Sequence, residues 1–196
     1  AIFREEIANA HLEKETNQYF AVLTNLSPSS TYYAYVQASC GNDGSSPWIG
    51  TMFRTGCGTI SNYPFYENFD SYEGLTTNTV NTTNHLLPHC WLYQNTGTSA
   101  SYTGYPYITA ASASNCHSEP NCIRFYMSTA ATFGEQTAIT PAFEDVNRLQ
   151  ISFIAKSGAS YANTSRLAVG CVDDTSFVFL DTLSLTATYQ EYTVDL

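Results

Sequence analysis

Tyr63-Pro-Phe-Tyr-Glu-Asn-Phe-Asp-Ser-Tyr-Glu-Gly74 is the stretch on which the reading of the fold turns. Taken as a strand, it places Phe65, Glu67 and Phe69 on one face and Tyr66, Asn68 and Asp70 on the other, because strand side chains alternate with a period of two. A carboxylate between two phenylalanines on a core-facing row is costly unless a counter-charge, several hydrogen bonds or a metal meets it. With 7 Lys and Arg against 17 Asp and Glu, a divalent ion or a ring of backbone donors is the expected partner of Glu67. Hard oxygen donors suit calcium, so Glu67 and Asp70 form the candidate metal site, structural rather than catalytic. Both reach one ion only if the strand ends or bulges near Phe69. The competing reading is an exposed strand-end pair, or Glu67 paired with Arg124, Arg148 or Arg166.

The composition around this stretch has the same character. Charged residues are 12% of the 196-residue chain, about half the average for soluble proteins, and Ser, Thr, Asn and Tyr take their place. Uncharged polar and aromatic residues suit sheets with one wet and one packed face. A net charge of −10 opposes nucleic-acid binding, which needs a basic stripe, and contact with anionic membrane surfaces. No apolar run is long enough to cross a bilayer as a helix, and no signal peptide opens the chain. The six cysteines include no matched CxxC pairs, so disulfides in an oxidising compartment are expected over structural zinc.

Along the chain, residues 1–18 read poorly as strand; a short helix and an irregular approach fit them equally. Strands are expected over residues 19–26, 32–39 and 48–55, with a corner at Leu26-Ser-Pro28 and a turn cluster over 41–47. Residues 58–62 read as a linker. Beyond them, short alternating strands are expected over 86–91, 105–109, 123–127, 136–141, 149–155, 166–172, 177–180 and 189–195. With turn clusters between them, they argue for an all-β chain closing on an antiparallel jelly-roll sandwich.

Leu26, Pro28, Tyr32, Ala34, Val36 and Ala38 resemble a fibronectin type III module, whose Leu-x-Pro precedes a tyrosine corner matched here by Tyr32. The resemblance covers about residues 19–56 of a domain placed at 1–57, and only the last strands of the seven-stranded sandwich are legible. Either the front half of the module is expected to lie outside this chain, or residues 1–18 are a remnant of it. Cys40-Gly41, Ser46-Pro-Trp48 and Thr55-Gly-Cys57 resemble a pattern in such modules of bacterial surface proteins. That pattern implies a Cys40–Cys57 bridge across the last hairpin; the alternative is two free thiols.

Residues 58–196 resemble the cleaved-adhesin and MAM-like jelly rolls of large secreted bacterial proteins, including gingipain-type adhesin segments. Glu67-Asn-Phe-Asp70, Leu87-Pro-x-Cys-Trp91 and Leu149-Gln-Ile-Ser-Phe153 carry the likeness, with Glu191-Tyr-Thr-Val-Asp195 near the family's penultimate edge. The family continues past this point, so the sandwich is expected to lack its last strands and its calcium site to be incomplete. The resemblance implies a non-catalytic module on the outer surface of a gram-negative bacterium or secreted from it, serving adhesion, display or spacing. Its partners would be neighbouring modules, glycans or host and neighbour-cell proteins. The alternative is a carbohydrate-binding accessory module of a secreted glycosidase or protease. Asp181-Thr182-Leu183 resembles the O-glycosylation acceptor of such bacteria, which points to Thr182.

Cys116 and Cys122 bound a short loop that a disulfide would rigidify; reduced thiols or a pairing with Cys90 are the alternatives. Cys90 and Cys171 either pair or sit as small buried hydrophobes. His85, His89 and Cys90 make a poor zinc set, because Pro88 opposes the helix that would align the histidines. No Gly-x-Ser-x-Gly elbow is present, and no acidic pair is singled out for glycoside hydrolysis. Tyr102, Tyr105, Tyr107 and Tyr161 are candidate sugar-stacking rings, against the reading that a Tyr-rich β-protein leaves some rings half exposed. Asn25, Asn81 and Asn163 head sequons that matter only in a eukaryotic secretory pathway.

Overall fold

The computed structural model describes residues 2–7, 10–15, 22–39, 41–110, 116–126, 131–161, 164–173 and 176–196; for 2–7, 10–15, 131 and 173 it describes the backbone alone. Among these residues the secondary structure is twelve β-strands and four three-residue 3-10 turns, so the chain is all-β. It divides into two compact units, Ala1–Glu67 and Asn68–Leu196, whereas the sequence placed the boundary after Cys57.

The first unit is one antiparallel sheet of β1 (Ile2–Ile7), β2 (Ala10–Glu15), β3 (Thr31–Gln37) and β4 (Ile49–Arg54), in the order β2-β1-β3-β4. The hairpin β1–β2 corrects the expectation of a short helix or irregular path over residues 1–18. Helix propensity differs by only about 0.7 kcal/mol per residue among ordinary side chains, and a full ladder to β3 outweighs it. On β3 the expected alternation is paired with β4: Tyr32 opposite Phe53, Ala34 opposite Thr51 and Val36 opposite Ile49. Tyr32 is fully buried and stacks on Phe53 with ring centroids 5.7 Å apart.

The strand expected over residues 19–26 is not found: 22–26 have no strand pairing and 19–21 lie outside the described residues. Asn25 (φ 64°) and Ser29 (φ 55°) take left-handed backbone, which breaks an extended run and turns the chain into β3. The corner is then laced to the end of β4. Ser29 donates its N–H to the Gly56 carbonyl at 2.9 Å, and Thr55 Oγ1 donates to the Ser27 carbonyl at 2.8 Å while accepting the Ser30 N–H at 3.0 Å.

The stretch 63–74 is likewise not a strand. Pro64 brings no N–H to a ladder. Asp70 donates its N–H to Asn68 Oδ1 at 3.2 Å, and Phe69 sits at φ 65°; this local Asx turn competes with strand pairing. The alternation of exposure survives nonetheless: Phe65, Glu67 and Phe69 are half-buried, and Tyr66, Asn68 and Asp70 are exposed.

The second unit consists of two-stranded antiparallel ladders. β5 (Leu92–Asn95) pairs with β8 (Gln136–Ile139), β6 (Tyr107–Ala110) with β7 (Asn121–Arg124), β9 (Gln150–Ala155) with β12 (Gln190–Asp195), and β10 (Arg166–Asp173) with β11 (Ser176–Ser184). In sequence, β5–β8 encloses β6–β7 and β9–β12 encloses β10–β11, giving two successive nests. Seven of the eight strands expected from residue 86 onward overlap these elements. The exception is 86–91, which ends in a turn at His89 and Cys90, with Cys90 at φ 67° and the Trp91 N–H on the Pro88 carbonyl at 3.1 Å; strand pairing begins only at Leu92.

The core of this unit sits under β6. Val80, Tyr105 and Tyr107 are fully buried, with Leu75, Tyr102 and Tyr126 packed against them. Leu75 joins the edge of β6 as a parallel bridge to Thr109, donating its N–H to the Ile108 carbonyl and accepting the Ala110 N–H, both at 3.0 Å.

Candidate functional site

The segment after Phe69 is held by one buried side chain. Asn121, the first residue of β7 and only 3% exposed, donates both amide hydrogens, to the Phe69 carbonyl at 2.9 Å and the Tyr72 carbonyl at 2.6 Å. Gly74 is required where this strap crosses β6: a Cβ there would strike Asn121 Oδ1 and the Ala110 nitrogen. The strap thereby places Asp70 on the surface at the start of the second unit.

Asp70 accepts a hydrogen bond from Asn68 Nδ2 at 2.7 Å on Oδ2, and partial burial raises its carboxyl above the usual value. The donors here are oxygens of Asp70 and Asn68, hard ligands of the kind calcium takes. Glu67, the other expected ligand, is half-buried and is the last residue of the first unit.

Among the described residues, four of the five cysteines are oxidised. Cys116 and Cys122 form a disulfide with Cα atoms 5.4 Å apart, closing the loop between β6 and β7. His117 within that loop packs edge-on to Tyr189 at 5.3 Å. Cys57 and Cys90 are each engaged in a disulfide as well. Cys40 lies outside the described residues, and so does any Cys40–Cys57 pairing. Cys171 is a free, half-buried thiol. Disulfide bonding of Cys90 removes the thiolate that zinc would need beside His85 and His89; the His85 ring lies against Tyr93 at 4.5 Å.

The aromatic platform read from the sequence is corrected. Tyr105 and Tyr107 are 0% exposed, with hydroxyls donated to the Asn78 and Thr77 carbonyls, each at 2.9 Å. Burial, reinforced by the Tyr107 hydroxyl, pushes the Tyr105 phenol far above its ordinary range. Tyr102 is half-buried, 4.4 Å from the Tyr126 ring and 4.9 Å from Phe133. These rings are core because the segment from 99 to 106 folds inward, tied by Asn95 Nδ2 to the Tyr102 and Tyr105 carbonyls at 3.0 and 2.9 Å. Tyr161 alone of the four is exposed, at 49%.

Thr182 is exposed on β11, opposite Ala168, and donates its N–H to Asp181 Oδ1 at 2.6 Å. Asn81 accepts the Thr83 N–H and hydroxyl at 2.9 and 2.7 Å, Asn25 lies at the left-handed corner, and Asn163 lies outside the described residues. An apolar groove of about 150 Å³ on the first unit is lined by Ala34, Tyr35, Val36, Ile49, Gly50 and Thr51. That is well below the roughly 300 Å³ at which small-molecule pockets begin.

One feature escaped the sequence reading. The run Phe177-Val-Phe-Leu180 was read only as a strand, yet Val178, Phe179 and Leu180 are 48%, 69% and 44% exposed. The signal was available: four consecutive apolar residues with no polar alternation do not suit a strand with one wet face.

Comparison with protein-family models, with curated proteins and with solved structures finds no match to this chain. The fold and the site together define a disulfide-bonded all-β protein of two units.

Proposed function

We propose that the chain is a non-catalytic module of a secreted or cell-surface bacterial protein, serving adhesion or acting as a display or spacer element. The observation that carries this reading is the hydrogen bond from the Ser27 N–H to the Tyr32 hydroxyl at 2.7 Å. A buried tyrosine at the start of a strand, bonded through its hydroxyl to backbone a few residues upstream, is the tyrosine corner of immunoglobulin-like and fibronectin-like sandwiches. The sheet order β2-β1-β3-β4 supports the same assignment, as one layer of such a sandwich. In the second unit, antiparallel strands nested in sequence support a jelly-roll-type module. The disulfides support an oxidising compartment.

A structural calcium ion bound through Asp70 of the second unit belongs to this proposal. It is supported by the oxygen donors at Asn68 and Asp70 and by a carboxyl whose charge partial burial disfavours. Glycosylation of Thr182 belongs to it too, supported by the residue's exposure. The carbohydrate-binding alternative retains only Tyr161 and the half-buried Tyr102 of its four rings.

The test is location. Antibody raised against the chain should label intact, unpermeabilised cells of the source bacterium or detect the protein in spent medium. Label found only after lysis would overturn the proposal.

A further inference from the structure

We propose that the outer edge of β11, over residues 176–180, is a docking site for an extended, apolar polypeptide strand carrying a basic residue at its Asp181 end. β11 is nine residues long and, among the described strands, forms a ladder only with β10. Its other edge therefore presents a row of backbone donors and acceptors, which a second strand satisfies directly. Exposure of Val178, Phe179 and Leu180 puts apolar surface on both faces of the ribbon, since neighbouring strand residues point to opposite sides. A helix or a lipid surface laid on the ribbon would cover one face. A strand alongside covers both with its alternating side chains and also meets the backbone row.

The edge has a defined end. The register passes from Val169 opposite Asp181 to Gly170 opposite Phe179, leaving Leu180 as the extra residue of a bulge, and bulges end pairing and increase twist. Past it, the Asp181 carboxylate takes the Thr182 N–H at 2.6 Å and the Tyr192 hydroxyl donates to the Ser184 carbonyl at 3.2 Å. Gly170 leaves room for the Phe177 ring and the Val178 carbonyl, and Phe177 supports Phe179 edge-to-face at 4.8 Å. Charge selects the occupant: a second copy would bring another −10 and its own Asp181, whereas a neutral or basic strand is attracted. The inference rests on the β10–β11 geometry alone, so its failure leaves the proposed module function untouched.

The probe is a labelled synthetic octapeptide, Lys-Val-Thr-Val-Thr-Val-Thr-Lys, titrated with the full chain and read by fluorescence anisotropy. Saturable binding is expected, weakened at least about tenfold when the central valine of the peptide is replaced by proline, which has no N–H to offer. Phe179→Lys in the protein should weaken binding by a similar factor with an unchanged circular dichroism spectrum. Asp181→Asn should reduce the salt dependence. The peptide comparison leaves the protein unaltered, so a misfolded variant cannot mask the result. Absence of binding, equal binding of the proline peptide, or a dimer in sedimentation velocity that Phe179→Lys dissolves would each overturn the proposal, the last by assigning the edge to a second copy.

Discussion

The phenol oxygen of Tyr32 accepts the backbone N–H of Ser27 across 2.7 Å, and the ring that carries it is completely buried against Phe53. One side chain therefore fills the centre of the first sheet and fixes the approach to β3. Replacing Tyr32 with Phe keeps the ring and removes the acceptor. An orphaned, partly buried N–H costs about 1–3 kcal/mol, so the variant should unfold at lower urea with an unchanged m-value. A midpoint equal to that of the parent would show that water replaces the hydroxyl.

Asn121 should matter more than its size suggests. Asn121→Ala strips the Phe69 and Tyr72 carbonyls of their donors, and about 1–3 kcal/mol of stability should be lost for this buried network. Hydrogen exchange should rise first at the Leu75 and Ala110 amides, whose bonds form the bridge to β6. Unaltered exchange there would mean that the strap holds without its anchor.

The tyrosines divide by burial. Tyr107→Ala, in the fully buried cluster, should cost about 3–5 kcal/mol as an aromatic-to-alanine truncation. Tyr161→Ala, half exposed, should stay within about 0.5 kcal/mol. Equilibrium denaturation of both variants checks the contrast, and similar losses would mean that the cluster is not the core.

Asp70 links pH and metal. Its folded-state pKa is raised by partial burial, so the folded chain holds this proton more tightly than the unfolded chain does. The resulting penalty is present above the folded pKa and is relieved as pH falls towards the ordinary value of 3.8. In calcium-free buffer at pH 7, Asp70→Asn should therefore raise Tm slightly, and the gain should vanish in acid. Added calcium should reverse the order, since a ligand at a hundredfold excess over Kd adds about 2.7 kcal/mol. A parent melting curve identical in EDTA and in calcium would remove the ion from Asp70.

Replacing Cys116 and Cys122 together by serine opens a loop whose cysteines are 6 residues apart. Chain entropy assigns so short a loop about 2 kcal/mol, so calorimetry should show a modest loss of Tm with the fold retained. Failure to fold would mean that the bond also positions β6 against β7.

Much of the architecture was legible in local pattern. β3 and β4 follow from the alternation Tyr32, Ala34, Val36 and from the turn cluster after Gly41, and the Leu-x-Pro before Tyr32 marked the corner. The strand assignment of 63–74 failed because alternation alone does not make a ladder: Asn68 and Phe69 divert the backbone into a turn while the side chains still alternate in burial. The strands β1 and β2 went unread because β1 pairs with β3, a partner distant in sequence, and β2 pairs in turn with β1. At the candidate site the residue types were legible, but whether Tyr105 and Tyr107 faced solvent was not, since their burial depends on Asn95 folding the preceding loop inward.

By itself the sequence determined the all-β class from residue 19 onward, because short runs of aromatic and β-branched residues broken by Gly, Pro and Asn leave no segment there able to present a helical face. Only the tertiary structure decided which aromatics became core and which edge was left unpaired. Burial and backbone satisfaction depend on which strands meet across long stretches of chain, and side-chain pattern within one strand carries no record of its neighbour.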